Sequence, residues 1–261
     1  MTNSVPKDFS RWVWGKQAVL ELIKINPQQV EQVLISSTDR DQHKQKIVDL
    51  CARAGIPVSI KEGKEINRIL PAQTHQNVAA RLKAQAHPFV SLETLISKIP
   101  MDSIPPPVLL AVDHVQDPQN LGAMIRTALG TGVQGVILSR DRSCPVTGSV
   151  RKAAAGALEY MPLVQVTNLV RTLEELKEKG FWVLSLEADS PVSIYELDLR
   201  VPLVVIVGGE SQGVSSLVRK RSDWLASIPM EGPVSSLNAS VACAVALYEI
   251  FRQGRLTKGK G

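Results

Sequence analysis

Polar side chains crowd the start of a helix near the C-terminus, directly after a Gly-Pro turn, at Ser235, Ser236, Asn238 and Ser240. One side-chain acceptor is enough to cap the free N–H groups of a helix start. The helix predicted to follow, over residues 241–251, is rich in Ala and Val. The surplus of polar groups favours a bound ligand, although a Ser-rich cap on a buried helix also fits this segment alone.

A second polar turn follows the apolar run 108–112. Asn120 lies where it can cap the next helix, Gly122 permits close approach of another chain segment, and Arg126 projects from the second helical turn. Open parallel sheets bind ligands at the carboxyl ends of their strands. The turn is therefore a candidate binding site, whereas an ordinary cap and a surface arginine remain alternatives.

The third segment is a Gly-rich turn, Gly208-Gly-Glu-Ser-Gln-Gly213, which follows another apolar run. Its spacing is not G-x-G-x-x-G, and no Lys-Ser/Thr pair follows as in a P-loop. It does match the hydrolase elbow G-x-S-x-G, with Ser211 as the nucleophile. That fold needs a histidine after the serine, and none follows His114, so a hydrolase is disfavoured.

Alternating patterns place these turns at the ends of strands. Apolar runs predict strands at residues 108–112, 135–138, 182–186 and 203–207, with helices at 121–129 and 169–179. Near-continuous apolar strands separated by helices indicate an α/β fold, in which a parallel sheet carries helices on both faces.

The domain organisation is predicted from changes along the chain. Residues 1–88 predict a small α/β domain of their own, and the prolines of residues 89–107 predict a linker. Residues 108–261 then form the second domain. The net charge of +5 lies wholly in the first part, where 13 Lys and Arg face 8 Asp and Glu. Such an excess suits a polyanion such as RNA, and equally a solvated surface.

Composition disfavours several other classes. No apolar run is long enough for a membrane span, and the first residues carry no signal pattern, so a cytoplasmic protein is expected. Three widely separated cysteines predict reduced thiols. With only four scattered histidines, no metal site is expected.

The three segments together resemble the motifs of the SpoU (TrmH) family of RNA ribose 2′-O-methyltransferases, in the SPOUT superfamily. The matching patterns are Asn120-Leu-Gly-x-x-x-Arg126, Gly208-Gly-Glu-x-x-Gly213 and Ile228-Pro-Met-x-Gly-x-x-Ser-Ser-Leu-Asn238. The first domain, including His75-Gln-Asn-Val-Ala79, looks like the L30e-like RNA-binding domain of the 23S rRNA guanosine branch.

The resemblance implies an activity, a fold and partners. S-adenosylmethionine would methylate a ribose 2′-hydroxyl in RNA, most closely a guanosine of 23S rRNA. The second domain would be a SPOUT α/β-knot with a trefoil knot, and the protein would be a homodimer. A tRNA 2′-O-methyltransferase and a non-catalytic RNA-binding protein that keeps the fold remain the alternatives.

The resemblance also implies residue roles. The cofactor would lie against Gly208, Gly209, Ile228, Met230 and Leu237. The catalytic group would comprise Asn120, Arg126, Glu210, Ser236 and Asn238, with Glu210 orienting the Arg126 guanidinium. Because a guanidinium does not give up its proton in proteins, Arg126 would stabilise the developing oxyanion rather than act as a base. In the first domain, RNA would be bound by Arg11, Lys16 and Arg81.

Overall fold

The structure is a computed structural model that describes residues 11–36, 42–71, 74–83, 89–210, 212–234 and 236–258. Ser211 and Ser235 lie outside the described residues. The chain forms two compact units, of which the first comprises residues up to Pro88 together with Val146–Tyr160. The second comprises Phe89–Pro145 and Met161–Gly261.

In chain order, the strands and helices are β1 (Trp12–Trp14), α1 (Lys16–Ile25), β2 (Val30–Ser36), α2 (Gln42–Ala54), β3 (Val58–Lys61), α3 (Gly63–Ile69), β4 (Val78–Leu82), β5 (Phe89–Val90), α4 (Leu92–Ile96), β6 (Val108–Asp113), α5 (Pro118–Gly130), β7 (Gly135–Ser139), α6 (Gly148–Ala153), β8 (Leu163–Val166), α7 (Leu169–Glu178), β9 (Trp182–Leu186), β10 (Leu203–Gly208), α8 (Ser216–Arg221), β11 (Trp224–Ala226) and α9 (Ala239–Lys258).

The first unit is built on a four-stranded mixed sheet in the order β1-β4-β2-β3. β4 pairs antiparallel with β1 and β2, and β2 pairs parallel with β3. Apolar residues of α1 and α2, such as Leu22 and Ile47, are buried in one cluster with Val13 and Val33 of the strands. A small α/β core therefore forms from residues within the first 82.

Residues 146–160 belong to this first unit, although the sequence places them inside the second domain. A Cβ at Gly148 would lie 2.1 Å from the Trp14 ring and 2.2 Å from the Trp12 carbonyl oxygen, so only glycine fits there. Tyr160 donates a 2.6 Å hydrogen bond to Glu21. These contacts join positions more than a hundred residues apart, and no local pattern announces them.

The second unit is built on a seven-stranded sheet in the order β11-β9-β10-β6-β7-β8-β5. Every pairing within it is parallel, which confirms the predicted α/β sheet. Leu109 and Ala111 of β6 share a buried cluster with residues of α7 and α8. Leu110 and Val112 are also fully buried, and because side chains alternate along a strand they face the opposite side. Both faces of the sheet are therefore covered.

The segment 89–107 differs from the predicted linker. Phe89–Val90 pairs with β8 at the edge of the sheet, and Leu92, Leu95 and Ile99 are buried in the core of the second unit. The prolines 105–107 follow this packed segment and directly precede β6. All three cysteines are free and buried. Within the described ranges, no helix combines the length and apolarity that crossing a bilayer requires.

Candidate active site

Two of the polar turns lie side by side because the strands before them are neighbours. β10 pairs with β6 so that Gly208 lies opposite Asp113, the last residue of its strand. Beyond the strands, the Gly209 N–H donates to the Asp113 carbonyl oxygen at 2.8 Å. The buried Asp113 carboxylate accepts a 2.9 Å hydrogen bond from the Ser215 N–H. The Gly-rich turn is thereby attached to the end of β6.

The two glycines of this turn are required by close approach of the backbone. A Cβ at Gly208 would lie 2.1 Å from the Gly213 carbonyl carbon and 2.3 Å from the Val214 nitrogen. A Cβ at Gly209 would lie 2.1 Å from the His114 carbonyl oxygen. Any side chain here would force backbone segments apart.

A hydrogen-bond network joins all three polar turns. The Asn120 side-chain amide donates to Glu210 Oε1. Asn238 Nδ2 donates to the same Glu210 oxygen at 2.8 Å and approaches Asn120 Oδ1 at 3.1 Å. One carboxylate thus holds amides from the first and third turns. Because hydrogen bonds to an ionised acceptor are stronger than neutral ones, Glu210 fixes the geometry of the group.

Helix capping explains which asparagine is free for this network. Asp117 caps α5 by accepting from the Gln119 N–H at 3.0 Å, and Pro118 occupies the first turn. The prediction that Asn120 caps α5 is therefore wrong, and its buried side chain turns to Glu210 instead. Asn238 does cap α9, since its Oδ1 accepts from the Ser240 N–H at 2.9 Å.

An Asn238→Ala substitution tests this double role. We expect a loss of about 1 kcal/mol of stability from the cap. Binding of S-adenosylhomocysteine, the demethylated form of the methyl donor that the motif resemblance implies, should be about tenfold weaker because the network is broken. Asn168→Ala is the matched control, because Asn168 caps α7 through the Arg171 N–H at 3.1 Å and takes no part in this network. Thermal melting and calorimetric titration of both variants measure the two effects. Equal ligand affinity in the two variants would contradict the role of Asn238.

A cavity of about 480 Å³ opens beside the network. Its wall is formed by residues 186–189, 207–210, 213, 226, 228, 230, 236–239 and 242. It combines apolar side chains with backbone of the Gly-rich turn and a few polar groups. Volume and composition match those of sites that bind small organic ligands. In the described part of the chain, no group of three or more His, Cys, Asp or Glu is placed to hold a metal.

Comparison with protein families gives this site its context. Residues 107–248 match the model of the SpoU rRNA Methylase family. The chain belongs to this family. Residues 12–88 match a second model, described as RNA 2′-O ribose methyltransferase substrate binding.

Relatives and solved structures agree with this assignment. The 23S rRNA (guanosine-2′-O-)-methyltransferase RlmB of Pseudomonas aeruginosa is 41% identical over 94% of this chain and 98% of its own length. RlmB of Shewanella oneidensis is 36% identical over 93% of this chain and 97% of its own length. The structure of AviRb, a SpoU methyltransferase of Streptomyces viridochromogenes solved with AdoMet, matches the fold with a TM-score of 0.75. It is 21% identical, and the match covers 94% of this chain and 90% of that one.

Most of the residues assigned from the SpoU motifs meet at the cavity. The five expected to contact cofactor all line it, namely Gly208, Gly209, Ile228, Met230 and Leu237. Glu210, Ser236 and Asn238 line it as well, and Asn120 supports them through the network.

Arg126 does not join the group. Its side chain is exposed on α5, it is not among the residues that line the cavity, and no acceptor in the described residues bonds its guanidinium. The expected Arg126–Glu210 pair is absent among these residues, because Glu210 accepts from Asn120 and Asn238 instead. Arg126 follows Asn120 by six positions, which places it about 9 Å further along the helix.

The residues expected to bind RNA lie in the first unit. Arg11 donates to Glu31 at 2.5 Å and to the Leu82 carbonyl oxygen at 2.8 Å, and Arg81 approaches the same Glu31 carboxylate at 3.5 Å. Two arginines thus contact the same carboxylate. Lys16 opens α1, where its backbone N–H donates to the Gln76 side chain at 3.0 Å.

Sequence reasoning missed the part of the wall at the end of β9 and just after it, residues 186–189. These residues form no recognisable motif. The available signal is positional, since the predicted strand 182–186 ends there and ligands bind at carboxyl ends of parallel strands.

Proposed function

We propose that this protein transfers a methyl group from S-adenosylmethionine to the ribose 2′-hydroxyl of a guanosine in 23S rRNA. The observation that carries the proposal is the network of Asn120, Glu210 and Asn238 beside a Gly-walled cavity. The activity of the Pseudomonas aeruginosa relative, similar over nearly both whole chains, supports the substrate.

The residues at the cavity suit this cofactor. Gly208 and Gly209 carry no side chain, so a ligand against this part of the wall meets backbone groups directly. Ile228, Met230 and Leu237 offer apolar surface to an adenine, whose polar edge is read by main-chain amides and carbonyls. We assign these residues and Gly209 to the cofactor site.

The side chains of the protein position the substrate and stabilise the charge that develops during methyl transfer. The cofactor supplies an electrophilic methyl group on a sulfonium. Ser236 holds the target ribose, and Asn238 with Glu210 and Asn120 fixes the position of the turn that carries Ser236. The Arg126 guanidinium stabilises negative charge as it develops on the 2′-oxygen, while the hydroxyl proton passes to water.

We propose further that the protein acts as a homodimer in the cytoplasm, with the trefoil knot of SPOUT proteins in its second unit. Val241 and Tyr248 lie seven positions apart on α9 and are 47% and 55% exposed, which supports an apolar face suited to a second copy. A second copy is also a means of bringing Arg126 to a cavity, because Arg126 is not among the residues that line the cavity of its own chain.

The first unit is proposed to bind rRNA phosphates through Arg11, Lys16 and Arg81. Affinity for an rRNA fragment should then fall as salt rises, and Arg81→Gln should reduce the slope of log K against log salt by about one. Arg200→Gln is the control, because Arg200 pairs with Asp198 at 2.7 Å in the second unit. Fluorescence anisotropy over a salt series measures the slopes. Slopes that do not differ between Arg81→Gln and the control would remove Arg81 from the interface.

Methylation of purified RNA tests the main proposal. The protein is incubated with labelled S-adenosylmethionine and 23S rRNA, and 2′-O-methyl positions are mapped by their resistance to alkaline cleavage. We expect a single guanosine to be modified in vitro. The same guanosine should lack the methyl group in 23S rRNA from cells without the protein. Methyl transfer to tRNA alone, or to a base, would refute the proposed substrate.

A further inference from the structure

The carboxyl end of β9 carries a carboxylate that the proposed reaction leaves unused. Glu187 follows the last residue of β9 and lines the cavity. β9 is the sheet neighbour of β10, with Ser185 opposite Ile206. Continued by two residues, this register brings Glu187 level with Gly208. The carboxylate thus stands beside the Gly-rich turn.

The Glu187 side chain is only 9% exposed, yet one of its oxygens lacks a partner. Oε1 is buried and accepts no hydrogen bond from any described residue. A buried acceptor left without a donor is costly, and folded proteins rarely keep one without a reason. A ligand in the cavity can supply that donor.

The surroundings of the Glu187 carboxyl disfavour its ionised form. Burial raises the pKa of Glu187 and nearby Asp189 adds to the rise, while Arg219 and the Val214 backbone amide oppose it. Arg219 Nε stays 3.5 Å from Oε2, longer than a good hydrogen bond. The carboxylate therefore has a cation nearby, and its Oε1 atom has no hydrogen-bond donor among the described residues.

We propose that Glu187 accepts hydrogen bonds from the ribose hydroxyls of the methyl donor, an assignment that rests on the function proposed above. Of the groups on that ligand, the ribose offers two neutral O–H donors, whereas its cationic groups would compete with Arg219. In other nucleotide-binding parallel sheets, an acidic side chain likewise meets the ribose beside a Gly-rich turn. Glu187 occupies the equivalent place next to Gly208.

The test compares two nucleosides by isothermal titration calorimetry. 5′-Methylthioadenosine carries the adenine and ribose without the amino acid, and its 2′,3′-dideoxy analogue lacks both hydroxyls. Glu187→Gln should bind methylthioadenosine about tenfold or more weakly than the unchanged protein, and the dideoxy analogue equally well. Glu174→Gln is the matched control. Glu174 of α7 pairs at 3.1 Å with Arg221 of α8, the helix that also carries Arg219, and it does not line the cavity.

Each result decides the assignment. Equal affinities of Glu187→Gln and the unchanged protein for methylthioadenosine would overturn it, and so would equal losses for both nucleosides. If Glu187→Gln does not fold, the unchanged protein still decides, because equal affinity for the two nucleosides would overturn the role of the hydroxyls. Titration of the unchanged protein with S-adenosylhomocysteine is separate: no binding there would refute the proposed function itself.

Discussion

Arg126→Ala is expected to lower kcat for RNA methylation by about 10²- to 10³-fold, the usual cost of removing a group that stabilises a developing oxyanion. Affinity for S-adenosylhomocysteine should not change, because Arg126 lies outside the cavity wall. Single-turnover methylation and calorimetric titration measure the two quantities. Arg171→Ala is the control, since Arg171 is likewise exposed on a helix of the second unit.

Arg126→Lys separates charge from shape. Lysine keeps the positive charge but loses the planar guanidinium fork that holds a phosphate or oxyanion through two bonds. We expect the activity of Arg126→Lys to lie between that of Arg126→Ala and that of the unchanged enzyme. The pH–rate profile of the unchanged enzyme should show no group titrating near neutrality, because a guanidinium stays protonated throughout. Full activity in Arg126→Ala or Arg126→Lys would rule out the catalytic assignment.

Mixing two impaired variants tests whether Arg126 acts from a second copy. Arg126→Ala has an intact cavity, and Asn238→Ala has an intact arginine. If the arginine acts in trans, each mixed dimer contains one site that combines the intact cavity of the Arg126→Ala subunit with the intact arginine of the Asn238→Ala subunit. Mixing should then raise activity well above the mean of the two variants. If it acts in cis, each site keeps one defect, and mixing should give only that mean.

The sequence predicted the parallel sheet because most of its strands have a clear sequence pattern. β6 and β10 are continuous apolar runs that end in a polar or Gly turn, a pattern that a strand buried on both faces produces. β8 and β11 were missed because they are short, with four and three residues, and contain polar or half-exposed positions. Short runs of that kind do not distinguish a strand from a loop.

Residues of the candidate site could be predicted only where they belong to a turn whose own sequence is a recognisable motif. Glu210 and Asn238 belong to recognisable turns, and both line the cavity. Asn120 was given the wrong partner, since local reasoning offers it the helix start that Asp117 already caps. Glu187 was missed because its significance comes from a neighbouring strand about twenty residues away. Contacts between distant segments leave no trace in local spacing.

Gly209→Ala is expected to be strongly damaging to the second unit. The new methyl group would lie 2.1 Å from the His114 carbonyl oxygen and 2.7 Å from its carbonyl carbon. Backbone atoms cannot rotate away as a flexible side chain can, and His114 is already held at a positive φ of 60°. We expect a loss of about 3 kcal/mol or more, at the upper end for overpacking, and a fall in Tm of about 6–12 °C.

The same substitution should also abolish cofactor binding, because separating the two turns moves Glu210 away from Asn120 and Asn238. Gly130→Ala is the matched control: a Cβ there meets nothing within 4 Å, and the residue lies in the last turn of α5. It should leave stability unchanged or raise it by up to about 1 kcal/mol. Scanning calorimetry with and without S-adenosylhomocysteine measures both effects. If Gly209→Ala melts like Gly130→Ala and binds the ligand normally, close contact between the two turns is not what holds the site together.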